Sequence, residues 1–313
     1  MFSVATQPDE DSYTNISILL RATHTREGTG LIMSEGDVQR MPTGVADFDS
    51  ILQGGLPRGS VVLLLGDVGG GGLEFALTSA AKIGIVKEFP DTRGFMLGDA
   101  GKLGVLPERI SYVTFSRSKE DILQEVKMSF NRDFSASLEG TLLFKDFSKD
   151  YFVHTVVPTN WLESEESGLF TDKKNDGLLE SMVDFLDNNA PKSLVIIDSL
   201  TDLVVSESVN FQDVVALLKG IQRMAKKWGA VFYVLLTDEI LDRKRQQMII
   251  DSVDGVLKFE WARFHHTSKR QRYLYVEKFM SVLPHLDQER IARFATLITS
   301  QSGFVVINTE RVG

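Results

Sequence analysis

Apolar and polar positions along this chain fall into two alternating patterns. Unbroken apolar runs at Val61–Leu65, Ile110–Phe115, Leu194–Ile197 and Ala230–Leu236 predict strands buried on both faces. Between them apolar residues recur at helical spacing. Phe75, Ala76, Ala80 and Ile83 form one stripe, and Ile122, Val126 and Phe130 another. Gly177 to Asn189 carries a third, and Val214, Leu218, Ile221, Ala225 and Trp228 mark a long helix over Phe211–Trp228. Near the end, Gly255–Phe259, Arg272–Lys278, Arg293–Thr299 and Phe304–Ile307 alternate at closer spacing, which suits antiparallel pairing. The pattern predicts an α/β fold, a mostly parallel sheet with helices on both faces and antiparallel strands added at the C-terminus.

Other stretches carry less signal. Residues 1–40 are polar apart from Ile16–Leu20 and predict a tail or docking strand. A single domain is expected from 41 to 313. Residues 84–108 read as a surface excursion, Asn131 to Asp150 has little pattern, and Tyr151–Val157 alternates as a strand would. Glu163–Asp176 reads as a solvated loop and Arg243–Ile250 as a polar, mobile segment.

Composition narrows the class. The 313 residues are 43% hydrophobic and 25% charged, ordinary globular proportions. A net charge of −9 counts against a general nucleic-acid surface. The absence of cysteine excludes disulfides, thiolate metal sites and cysteine nucleophiles. No apolar run approaches the roughly 20 residues of a membrane span, and Asp9, Glu10 and Asp11 do not fit a secretory leader. A soluble cytoplasmic protein is the expectation.

The chemistry centres on Arg58 to Phe75: a buried strand, a glycine loop (Gly66 to Gly72) and the first turn of a helix. That order builds a phosphate cradle, because glycines let backbone N–H groups turn inward and a helix N-terminus adds partial positive charge. A working loop of this kind reads G-x-x-x-x-G-K-[S/T]. Gly66 and Gly71 hold the glycine positions, but Gly72 stands at the lysine and Leu73 at the hydroxyl. From these residues alone the loop is either a turn without ligand or a weak anion or nucleotide site.

Elsewhere the bland readings prevail. Glu120 and Asp121 open a helix, where acids favour the dipole. Thr237-Asp238-Glu239 reads as a helix N-cap. His265 and His266 are neighbours with no third ligand at metal spacing. The basic stretch Arg263, Lys269, Arg270 and Arg272 lacks interleaved stacking aromatics and reads as a solvated or partner-facing loop.

Thr43-Gly44, Phe48-Asp49 and Gly54-Gly55-Leu56-Pro57-Arg58-Gly59 resemble the entry signature of KaiC-like proteins in the RecA superfamily. Asp198-Ser199-Leu200 looks like that family's Walker B segment. Asp254-Gly255-Val256, Tyr273 to Lys278 and Ser302 to Val306 resemble its C-terminal hairpins. The resemblance covers about residues 41–310. Tyr112 to Ser118 and Glu277 to Pro284 look like archaeal members known as KaiC-like or HTR-like proteins.

The resemblance implies a RecA-like P-loop fold with a degenerate Walker A loop. It carries nucleotide contacts onto Gly66, Gly69, Gly70, Gly71, Gly72, Leu73, Asp198, Thr237 and Lys278, with Asp198 the only metal ligand should Mg-nucleotide bind. Active relatives place an acid after the second strand; here Ser116 and Arg117 follow Thr114-Phe115. Relatives often end a late strand with Lys-x-Arg, and here Lys278 is followed by Met280 at the arginine position. A lysine–phosphate contact contributes roughly 1.5–3 kcal/mol, so its loss weakens binding roughly ten- to a hundredfold. The expectation is ATP and Mg²⁺ held weakly or not at all, no catalytic residue, and a non-hydrolysing regulatory or interaction module. Its expected partners are itself, a paralogous KaiC-like subunit or a signalling protein. The alternatives are an ATPase rebuilt around Lys278 or Arg117 and, more weakly, a RecA-like accessory in DNA recombination or repair.

Overall fold

A computed structural model of the chain describes residues 39–153, 155–158, 161, 177–263, 270–288 and 291–311. The expected N-terminal tail to residue 38, the 163–176 loop and the His265-His266 pair lie outside them.

The described chain enters through a small antiparallel ribbon, β1 (Arg40–Met41) against β2 (Leu56–Pro57), with helix α1 (Ala46–Ile51) between them. Then come β3 (Ser60–Gly66) and α2 (Gly72–Glu88). After a 3-10 turn at Pro90–Thr92 follows α3 (Arg93–Gly101). The 84–108 excursion is therefore largely helical, and Leu97 is fully buried in it. Next are β4 (Arg109–Thr114), α4 (Lys119–Ser129), α5 (Arg132–Thr141), β5 (Leu142–Asp146) and α6 (Ser148–Phe152). The strand expected at Tyr151–Val157 is replaced by the end of α6, and the strand of this region lies earlier, at β5. β5 is an edge strand with only Leu142 buried, so it shows no apolar run.

The second half gives α7 (Leu178–Asn189), β6 (Ser193–Asp198), α8 (Leu200–Val205), α9 (Phe211–Trp228) and β7 (Val231–Thr237). α10 (Arg243–Asp251) forms where a mobile polar segment was expected. Its N-cap is Asp242, which accepts from Arg245 N at 3.0 Å, so the cap expected at Thr237 lies five residues too early. β8 (Gly255–Arg263), β9 (Arg270–Phe279), α11 (Leu283–Gln288), β10 (Ile291–Thr299) and β11 (Gly303–Arg311) complete the chain.

The strands order as β11-β10-β9-β8-β3-β7-β6-β4-β5. From β8 to β5 every pairing is parallel, and β8–β9, β9–β10 and β10–β11 are antiparallel. The middles of β3 (61–65), β6 (194–197) and β7 (231–236) are unbroken apolar runs because both faces are covered. Val62 and Leu64 of β3 face one core with α2 and α5, while Val61, Leu63 and Leu65 face another with α7 and α9. β6 and β7 split their side chains the same way. Phe75, in the first turns of α2, lies 5.5–5.7 Å from the rings of Tyr233, Phe259 and Phe304, fixing the helix start against three strands. No helix among the described residues is long and apolar enough to cross a membrane.

Candidate functional site

β3, β7 and β6 end side by side, and the glycine loop leaves β3 there to open α2. A cavity of about 220 Å³ sits at this edge, lined by Gly66 to Glu74, by Asp198, Ser199 and Thr201, and by Leu235 to Thr237. The fold thus brings eight of the nine sequence-predicted positions to one cavity. Lys278 is elsewhere: its amine donates to the carbonyls of Ile250 and Val253, each at 2.7 Å, at the C-terminus of α10.

Packing against β8 explains two of the glycines without any ligand. A Cβ on Gly66 would lie 2.9 Å from the Cβ of Phe259, and one on Gly70 would lie 2.9 Å from its carbonyl oxygen. Only glycine lets the backbones approach this closely. Gly72 differs, since a Cβ there would meet the Phe259 ring at 3.5 Å, an ordinary contact.

A clamp that the sequence did not announce holds the loop to the antiparallel strands. Asp67 N donates to Phe259 O at 3.0 Å, and Trp261 N donates to Asp67 Oδ2 at 2.9 Å. Arg272 Nε donates to Gly69 O at 3.0 Å while its guanidinium lies 4.0 Å from the centre of the Trp261 ring. Arg272, expected in a solvated loop, is thus partly engaged in fixing the cavity. An acid at position 67, inside a glycine loop, is the one signal of it in the sequence.

Asp198 ends β6 at the cavity and accepts a hydrogen bond from the hydroxyl of buried Tyr112. Burial raises its carboxyl above the ordinary range, and the Tyr112 bond and nearby Arg117 oppose this. Arg117 pairs with Glu125; burial opposes its charge, but Glu125 and Asp198 hold its pKa above the usual guanidinium value. Thr237 N donates to Thr201 Oγ1 at 2.9 Å, and that hydroxyl lies 3.3 Å from Thr237 Oγ1. Ser199 N and Oγ both donate to Asp202 Oδ2, at 3.2 and 3.1 Å. The polar groups beside Asp198 are therefore tied into short local networks.

Three carboxylates, Asp67, Glu74 and Asp198, line the cavity, and no lysine, arginine or histidine does so among the described residues. A triphosphate with its magnesium needs a cation and a hydroxyl where α2 begins. This helix begins Gly72-Leu73, and Leu73 packs against the core. The backbone outline suits a phosphate; the side-chain donor set does not. Among the described residues no group of three acids or histidines is placed to hold a metal ion.

No family model matches the chain, and no curated protein matches it. Among solved structures it is similar to the KaiC-like protein PH0186 from the hyperthermophilic archaeon Pyrococcus horikoshii OT3. The two are 20% identical with a TM-score of 0.55, over 87% of this chain and 100% of that one. Identity at this level speaks to fold alone. Sheet order, site position and this likeness together give the chain a RecA-type α/β fold like that of a KaiC-like protein.

Proposed function

We propose that this protein is a RecA-type module with a degenerate P-loop that does not hydrolyse nucleotide and acts through protein contacts. Its partners in this reading are its own copies or a related KaiC-like subunit, in a regulatory or signalling role. One observation carries the reading: the inherited cavity opens on Gly72-Leu73 and is lined by three carboxylates and no cation among the described residues. Losing the lysine contact removes roughly 1.5–3 kcal/mol of phosphate binding. Carboxylates around the same space add like-charge repulsion in a partly buried setting. Hydrolysis needs a positioned acid as well, and Ser116 and Arg117 follow β4 where relatives are acidic.

A rebuilt ATPase would need Arg117 or Lys278 to abandon its present partners, Glu125 and the α10 carbonyls respectively. A DNA-binding accessory is disfavoured by the net charge of −9. A salt-sensitive gel shift of single-stranded DNA would revive that alternative.

The test is nucleotide content, MgATP-dependent melting and phosphate release, all on protein purified without added nucleotide. The expected result is no bound ATP, no rise in Tm at millimolar MgATP and no phosphate release. Turnover that disappears on Asp198→Ala would overturn the proposal.

A further inference from the structure

A second concavity is unrelated to the glycine loop and shares no lining residue with its cavity. It is a groove of about 650 Å³ lined by α7 and α9, with Asp150 and Val153 at α6 and the 208–210 turn also on its wall. Its apolar lining includes Leu178, Val183, Val209 and Leu217. Leu178, Val209 and Leu217 are partly buried against the core beneath, whereas Val183 is 48% exposed. Around them stand Asp150, Glu180, Asp184 and Asp213, with no lysine, arginine or histidine among the described lining residues. None of these four carboxylates forms an ion pair among the described residues.

We infer that this groove docks a basic amphipathic helix of a partner protein. Two helices bounding an apolar trough offer the surface into which a third helix packs its apolar stripe. Four unpaired carboxylates around that trough complement lysines and arginines flanking such a stripe, and they favour encounter with a cation over other ligands. The same charges, on a chain of net charge −9, disfavour a second copy as occupant. The inference does not rest on the state of the glycine-loop cavity.

A fluorescent synthetic Leu/Lys amphipathic helical peptide, titrated against the full chain and read by anisotropy, tests this. A Leu/Glu peptide of equal length is the control. Saturable binding of the Leu/Lys peptide alone is expected. The double variant Asp184→Lys, Asp213→Asn should weaken it at least about tenfold with Tm little changed, since both side chains are exposed. Val183→Glu separates docking from charge attraction: an added acid would tighten a purely electrostatic contact but weakens one that seats apolar side chains. No saturable binding, or binding strengthened by Val183→Glu, overturns the inference. So does binding that appears only after residues 162–176 are deleted, which would assign the groove to this chain's own segment. A wild-type dimer dissociated by Val183→Glu would assign it to a second copy and overturn it equally.

Discussion

The hydroxyl of Tyr112 donates to Oδ2 of Asp198, joining β4 to the tip of its neighbour β6. Tyr112 is fully buried and Asp198 partly so, and burial is the chief force raising the pKa of each. The bond therefore serves a carboxylate whose charge the fold otherwise disfavours.

Tyr112→Phe should cost about 1–3 kcal/mol at neutral pH, because it removes a donor from a partly buried carboxylate. The sign with pH follows from linkage. A raised folded pKa means the folded chain keeps a proton that the unfolded chain has released above the ordinary value of 3.8. Stability due to Asp198 thus falls as pH rises through that window and is level above it. Losing the donor raises the folded pKa further, so the cost of Tyr112→Phe should shrink on acidification. Urea unfolding of both proteins between about pH 4 and pH 8 reads this, and a cost that grows toward acid would contradict it.

Asp49 gives a second and separate titration. Its carboxylate accepts from Thr43 N at 2.8 Å, from Thr43 Oγ1 at 2.8 Å and from Gly44 N at 3.0 Å, pinning the turn that leads into α1. Burial raises its pKa to about 7, against the pull of those bonds and of Lys82. Between 3.8 and about 7 the folded chain retains this proton, so the Asp49 contribution to stability declines as pH rises through that range. Asp49→Asn should be less stable than wild type near pH 4, by about 1–3 kcal/mol. The gap should narrow from about pH 4 toward pH 7. A gap that widens would mean that the three hydrogen bonds outweigh burial.

These two sites illustrate what a sequence discloses. Asp198 was visible because it ends an apolar run, and α9 because an 18-residue stripe repeats without interruption. Tyr112 looked like one more strand residue; its partnership is made by strand pairing across 86 positions. The Asp67–Trp261 bond spans 194 positions and had no local signal beyond an acid in the loop. β5 and α10 escaped notice for another reason. Each buries a single side chain, so neither imposes a period on its residues. Lys278 was placed by family pattern, and its position on the α10 carbonyls depends on how β9 lies against β8.

The Arg272 clamp should be measurable in the loop it holds. Arg272→Ala removes a hydrogen bond to Gly69 O and a guanidinium over Trp261, together about 1–2 kcal/mol at this half-exposed position. Faster amide exchange at the glycine loop and in β8, with α9 unchanged, is the expected signature. Arg272→Lys should recover little of it, because an ammonium lacks the planar face that lies on the indole. Full recovery by lysine would reduce the clamp to simple charge.

The glycine loop itself can be divided by substitution. Gly70→Ala places a Cβ 2.9 Å from Phe259 O and should destabilise by about 1–3 kcal/mol. Gly72→Ala meets only ordinary contacts and has no positive φ, so it should stabilise by about 0.4–1 kcal/mol. If packing required glycine at 72, this variant would be destabilised instead. The same open position allows Gly72→Lys to return a cation to the start of α2. That variant should bind ATP roughly ten- to a hundredfold more tightly than wild type, seen as a nucleotide-dependent rise in Tm. Under the proposed function phosphate release should still be absent, since Ser116 and Arg117 remain where that reading expects an acid. A lysine that restored turnover would make the cation the single missing part; one that left ATP affinity unchanged would assign the deficit to Asp67, Glu74 and Asp198.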